Sequence, residues 1–422
     1  MTRSCHGAVQ YLRQFSDCGS IFQELFCFHS VSKPMIAGSL TTDRPRVPAL
    51  TSLRFFAALH VFVFHMYAMQ IANTSGWARR ISSIGYVGVS FFFILSGFIL
   101  VYTYAGRTIS AGEFWRARFA RIYPAYLFSL LFTAPFFFYV TIKLRPTPIP
   151  FLIWPQNHLL TSSLLVPSLL QSWVPGAALA WNAPAWSLSC EAFFYLLFPA
   201  LIVWLAGKRT RTWMQLGLLC WAVSLAITLL YVLRKPDGVA FVDDNSVNLN
   251  WLTILKFNPL VRFPEFLLGA CCGFLFLRGI VDRKWATPLI LGGLAYFGGM
   301  VMLAPSIPYP ILHDAALTPA FVAIIYGMAL RPNWTRILEI SPLVLLGEAS
   351  YSFYLLHSNL LGWIFLPTGQ PMHPSIVRMV LGVTIPIAAS ILVYKLIEVP
   401  GRRWLRGKKK QAPKLTPARA TA

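Results

Sequence analysis

Apolar runs of about 20 residues recur along this chain, separated by short connections rich in Lys and Arg. A run of about that length, coiled as a helix, matches the hydrocarbon thickness of a bilayer. Ten spans are predicted, at about 50–71, 84–105, 122–142, 186–206, 213–233, 259–279, 286–304, 311–330, 342–366 and 376–397. Residues 143–185 are also apolar, but Pro146, Pro148, Pro150, Pro155, Pro167 and Pro175 interrupt them. Proline removes a backbone donor, so this stretch reads as re-entrant or surface-lying rather than as a clean span. The fold class is all-α, a polytopic membrane protein. Its domains read as an N-terminal extension (1–46), a transmembrane domain (47–404) and a basic tail (405–422).

Composition strengthens that reading. Of 422 residues 56% are hydrophobic and 12% charged, where a soluble protein carries about 25% charged residues. The net charge of +22, from 36 basic and 14 acidic residues, would suggest nucleic acid in a soluble chain. Here the basic residues fall in short connections. Those after spans two, four, six and eight hold Arg107, Arg116, Arg118, Arg121, Lys208, Arg209, Arg211, Arg278, Arg283, Lys284, Arg331 and Arg336. The opposite connections hold fewer over more residues, so the positive-inside bias puts both termini in the cytoplasm of an inner-membrane protein. No nucleic acid partner is expected. The seven cysteines show no metal-ligand spacing and no disulfide framework, and no metal is expected. The first 45 or so residues lack a continuous apolar signal segment; they read as a cytoplasmic extension, or as following a start placed upstream of the true one. No stretch outside the spans is long enough for a soluble core, so any chemistry falls to the bundle.

Ionisable residues inside spans are costly and mark functional positions. In "LTSLRFFAALHVFVFH" (50–65), Arg54 and His65 are eleven residues apart. At about 100° per residue they lie within about 20° of one face, with His65 about 16 Å further along. His60 lies on another face and reads as a packing histidine bonded to a neighbouring helix. Arg118 and Arg121 share a helix face at the cytoplasmic boundary; flanking charge explains such a pair, and so does an anionic phosphate ligand. Ser96 and Gly97 allow close approach of a helix or a slim ligand. Glu191 is a lone carboxylate one turn after Ser187, so it should face Arg, His or water. Arg262 and Glu265 are spaced to pair for structural value. Tyr354 and His357 share a face in "ASYSFYLLH", and Glu398 reads as a structural clamp among basic residues.

In this order, "LRFFAALHVFVFH", "FFFILSGFIL", "RARFARIYP", "NAPAWSLSCEAFFYLLFP", "RFPEFLLG", "ASYSFYLLH" and "IEVP" resemble the acyltransferase 3 family, membrane O-acyltransferases that include enzymes acetylating O-antigen and exopolysaccharide. The likeness covers about 47–404. It implies ten core helices and an acyl-CoA, commonly acetyl-CoA, that acts as cytoplasmic donor substrate rather than as a permanently bound cofactor. It also implies a carbohydrate or glycolipid hydroxyl as acceptor, as in lipopolysaccharide or exopolysaccharide O-acetylation, reached across the bilayer at the periplasmic side. The implied catalytic residues are His65, Arg54 and Glu191. Arg118, Arg121, Ser96 and Gly97 are implied to hold the donor, and Trp186, Ser187, Tyr354 and His357 the acceptor. An imidazole, which titrates near neutrality, can take a proton from an attacking hydroxyl or accept the acyl group itself; both remain open at this level. Glu191 would orient the acceptor or polarise His65. The alternative from another class is a transporter or flippase for an anionic glycan or lipid. Secondary transporters often carry internal repeats, and neither the Arg-x10-His nor the Trp-Ser-x-x-x-Glu pattern recurs in the other half.

Overall fold

Helix α1 (Pro48–Ala68) begins at a proline in its first turn, a position where the missing N–H costs nothing. Around it are α2 (Gly76–Ser83), α3 (Gly88–Tyr104), α4 (Ala111–Ile142), α5 (Trp186–Ala206), α6 (Thr210–Arg234), α7 (Asn250–Phe257), α8 (Pro259–Leu277), α9 (Ala286–Leu303), α10 (Thr318–Ala329), α11 (Ser341–Phe365), α12 (Ile376–Val393) and α13 (Val399–Arg406). The structure is a computed structural model that describes residues 44–71, 75–108, 110–147, 149–244, 246–365 and 375–407. The expected N-terminal extension lies outside these apart from residues 44–46, as do Cys5, Cys18 and Cys27 and all of the basic tail beyond 407. The described chain is helical without strands, an all-α polytopic membrane protein.

Among the described residues nine segments are long and apolar enough to cross a bilayer. The span expected at about 342–366 is the 25-residue α11, long enough but more polar than those nine. Its buried Ser350, Ser352, His357 and Ser358 face the interior, with α1 and α12 packed against it. Leu131, Val203 and Leu233 are 64%, 70% and 70% exposed on long helices, the inside-out distribution of a surface that faces lipid.

Two boundaries differ from expectation. The predicted loop after α1 contains α2, which bonds back to α1 through His60. Helix α4 starts at Ala111, about ten residues early, because Ser110 and Glu113 form a reciprocal capping box: the Ser110 hydroxyl accepts from the Glu113 N–H at 3.2 Å and the Glu113 carboxylate from the Ser110 N–H at 3.1 Å. The proline-rich segment folds as short helical turns that bury Gln156, Gln171 and Asn182 and leave Leu160 and Leu164 exposed. Gln171 donates to the Ala185 carbonyl, and Asn182 to the Leu355 carbonyl and to Ser129.

Helices α3 and α8 cross backbone to backbone. A Cβ on Gly97 would fall on the Phe266 carbonyl, and one on Gly269 on the Ile94 carbonyl. Gly97, expected to hold the donor, is therefore a packing residue. Beside that crossing is a buried charge group. Arg262 reaches Glu265 at 2.9 Å and Asp314, and donates to Ser90 at 2.8 Å. His313 contacts Asp314, and Tyr86 stacks on His313 at 5.0 Å. Asp314 sits in a π-turn, Leu312–Ala316.

Candidate active site

Helix α1 carries Arg54 and His65 up one face, and the structure puts them in two places. Arg54 lines a cavity of about 140 Å³ toward the end where α1 and α4 begin, together with Ser96, Arg118, Arg121, Ser187, Glu191, Tyr195 and Tyr354. Arg118 is cradled by aromatic faces, its guanidinium carbon 5.5 Å from the Tyr104 ring centre and 5.9 Å from that of Tyr195, and it donates to the Tyr104 hydroxyl at 3.0 Å. Arg121 is paired at 2.7 Å with fully buried Glu398, which also accepts from Ser352 at 3.0 Å. Glu191 accepts from the Tyr195 hydroxyl at 3.1 Å, and Tyr195 stands 3.5 Å from Ser96. Ser187 donates to the Tyr354 hydroxyl at 3.0 Å, and Tyr354 donates to the Pro184 carbonyl at 2.9 Å. This cavity, with three guanidiniums and one carboxylate, favours an anion. It is well below the about 300 Å³ that encloses a drug-sized ligand, so only a slim portion of a large molecule enters it.

His65 lies further along, against His357. His357 Nδ1 is 3.2 Å from the Phe353 carbonyl, and its Nε2 is 3.1 Å from His65 Nδ1, which is also 2.9 Å from the Val61 carbonyl. With both rings neutral, one hydrogen arrangement satisfies all three contacts. A carbonyl only accepts, so His357 Nδ1 carries a hydrogen and donates it to Phe353. Neutral His357 then has a bare Nε2, which accepts from His65 Nδ1–H, shared with the Val61 carbonyl. His65 is left with an unprotonated Nε2. The rings meet edge to face at 4.8 Å, and buried His357 is 6.0 Å from the Tyr354 ring of the first cavity.

A second, larger cavity of about 980 Å³ opens where α1 ends. It is lined by Phe64, Tyr67, Tyr86, Tyr231, Asp244 and Tyr309 among others. The turn of α1 bearing His65 thus has the basic cavity three turns below it, at Arg54, and the aromatic cavity beside it, at Phe64. His65 lines neither.

Of the residues singled out in the sequence, Arg54, Ser96, Arg118, Arg121, Ser187, Glu191 and Tyr354 converge on the basic cavity, and His65 and His357 on each other. Glu191 stands with the arginines, not with His65. Trp186 does not line the cavity itself; it packs on Phe93, which does, and on Phe257. His60 donates from Nε2 to the Ile81 carbonyl at 2.8 Å, the contact expected of a packing histidine; His60→Ala should therefore keep turnover within about twofold of wild type, measured per folded protein. Sequence reasoning passed over His313 and Asp314, although two adjacent ionisable residues in an apolar span were the same signal that drew notice to α1.

A family model described as "Acyltransferase domain" (acyltransferase 3) matches residues 47–395. Acyltransferase MdmB of Streptomyces mycarofaciens is 31% identical over 325 residues, covering 74% of this chain and 78% of that protein. O-acetyltransferase OatA of Staphylococcus aureus is 25% identical over 380 residues, covering 85% of this chain and 57% of that protein. Peptidoglycan O-acetyltransferase OatA of Listeria monocytogenes is 25% identical over 396 residues, covering 86% and 56%. The chain thus spans little more than half of either OatA. No solved structure matches.

Proposed function

Because the chain belongs to the acyltransferase 3 family and is a multi-pass membrane O-acyltransferase, we propose that it moves an acetyl group from acetyl-CoA, entering at the basic cavity from the cytoplasm, to a hydroxyl of a carbohydrate or glycolipid reached from the opposite face of the inner membrane. Family membership displaces the transporter reading. The observation that carries the proposal is the contact of His65 Nδ1 with His357 Nε2, which with both rings neutral leaves His65 Nε2 bare, on a turn of α1 between the two cavities. Nε2 takes the hydroxyl proton as the hydroxyl oxygen attacks the thioester carbonyl. The C–S bond then breaks and the thiolate leaves with that proton, giving one ester and one free thiol. Arg54 and Arg118 hold the anionic donor. Arg121, engaged with Glu398, adds charge and anchors the last helices. Tyr354 and Ser187 line the route from donor to histidine. The same lone pair would serve an acyl-histidine relay; acetyl label left on His65 after incubation with donor alone would replace the base with the relay.

Glycans and lipids from cells with and without the gene should differ by one acetyl mass on a sugar. In vesicles, purified protein should transfer label from acetyl-CoA to that acceptor, and transfer from some other donor alone would overturn the reading. Arg118→Ala should raise the KM for acetyl-CoA about tenfold, the loss of one charge-assisted contact, and leave the acceptor KM unmoved.

A further inference from the structure

Helix α13 ends against the first turns of α4. Arg116 donates from Nε to the Leu405 carbonyl at 2.9 Å and from its terminal nitrogen to the Arg406 carbonyl. It thereby satisfies two of the orphan carbonyls of the α13 C-terminus. Gly401 lies on Pro124, where a Cβ would meet the proline ring. These contacts hold the end of α13, with exposed Arg406 and half-buried Arg402, beside the turns of α4 that carry Arg118 and Arg121. Arg118 in turn lines the basic cavity, so two further arginines stand on the helix packed against the α4 turns that line it. The nearby carboxylates are already engaged: Glu398 by Arg121 and Ser352, Glu113 by the cap of α4, Glu348 by the Tyr394 hydroxyl and Glu191 by the Tyr195 hydroxyl. Like charges held together this way repel unless an anion joins them, and guanidinium forks suit phosphate oxygens.

The cavity itself admits only a slim chain, so the bulky, phosphate-bearing part of a donor has to stay at the mouth. We infer that Arg402 and Arg406 of α13, with Arg116 as the residue that positions them, form a phosphate site that holds the nucleotide end of the donor while its thioester arm enters past Arg118. The inference rests on the reading of acetyl-CoA as donor. It makes the C-terminal helix part of donor recognition.

The test compares acetyl-CoA with acetyl-pantetheine, which has the same thioester arm and no nucleotide, using full-length protein in neutral phosphatidylcholine vesicles. Arg406→Ala, an exposed position whose truncation leaves the helix contacts of Arg116 intact, should raise the KM for acetyl-CoA about tenfold. It should move that for acetyl-pantetheine by less than twofold. Arg402→Ala should act the same way, and Arg211→Ala, at the start of α6 on the same end of the bundle, controls for general loss of charge. Equal effects on both donors, no effect on either, or an equal effect of Arg211→Ala would overturn the inference. So would an effect that arises only when anionic lipid is added, since the phosphate would then belong to the bilayer. If wild type transfers from neither thioester, the donor reading itself fails and the inference falls with it; if wild type uses both and Arg406→Ala leaves their ratio unchanged, only the inference falls.

Discussion

His65→Ala is expected to lower acyl transfer about 10³-fold, the range that a positioned general base contributes, while protein level and membrane insertion stay as in wild type. His65 is half-buried and packs on Phe64 and His357, so the truncation removes little packing and the loss is chemical. His357→Gln sharpens the test. Glutamine keeps a polar side chain at the position but cannot both donate to Phe353 from Nδ1 and accept from His65 at Nε2 with the same ring geometry. Turnover should fall about tenfold to a hundredfold with the donor KM unchanged, because His357 fixes which nitrogen of His65 is bare and touches no reacting atom. Full turnover in His65→Ala would sink the assignment, and a raised donor KM in His357→Gln would make His357 a donor contact instead.

Arg262→Ala should have the largest effect on stability. The side chain is 1% exposed and answers two carboxylates, Glu265 and Asp314, that are 3% and 4% exposed. Removing it leaves both without a counter-charge in a low-dielectric interior, a loss of about 3–5 kcal/mol for a broken buried pair. The measured outcome is a lower thermal midpoint in detergent and less folded protein in membranes. Replacing all three charges together, as Arg262→Met, Glu265→Gln and Asp314→Asn, should recover most of the loss, because no unpaired charge then remains. A single Arg262→Ala as stable as wild type would show that the group is solvated.

Much of this architecture is written locally and was legible. Apart from the start of α4, hydrophobic run length located the spans to within a few residues, and the eleven-residue step placed Arg54 and His65 on one face of α1. The early start of α4 was also local, in Ser110 and Glu113, a cap signal that a search for hydrophobicity alone passes over. Other features are not local. His65 meets His357 across 292 residues of sequence, and spacing along one helix says nothing about which face of another helix it will touch. The same holds for Arg262 and Asp314, and for Gly97, whose role became clear only when α8 was seen to lie on it. Glu191 is expected to face Arg, His or water; it accepts from the Tyr195 hydroxyl and shares its cavity with three arginines. Which of these it would meet depended on how α5 turns relative to α4, a question of packing.

The length of α4 has one more consequence. Its 32 residues extend about 48 Å, against a hydrocarbon core of about 30 Å, and its capped end carries Arg116 and Arg118. The helix thus exceeds the hydrocarbon layer by several turns, and the excess at its capped end brings exposed Arg116 toward the headgroups, where a guanidinium bears little insertion penalty. The separation between Arg118 and His65 is set by rigid protein, whereas the depth of both in the membrane is set by lipid. A thicker bilayer would draw the headgroup layer up over Arg116 and crowd the entrance of the basic cavity. Membrane thickness, varied through acyl chain length, thus becomes a physical dial on access to the site that needs no change in the protein.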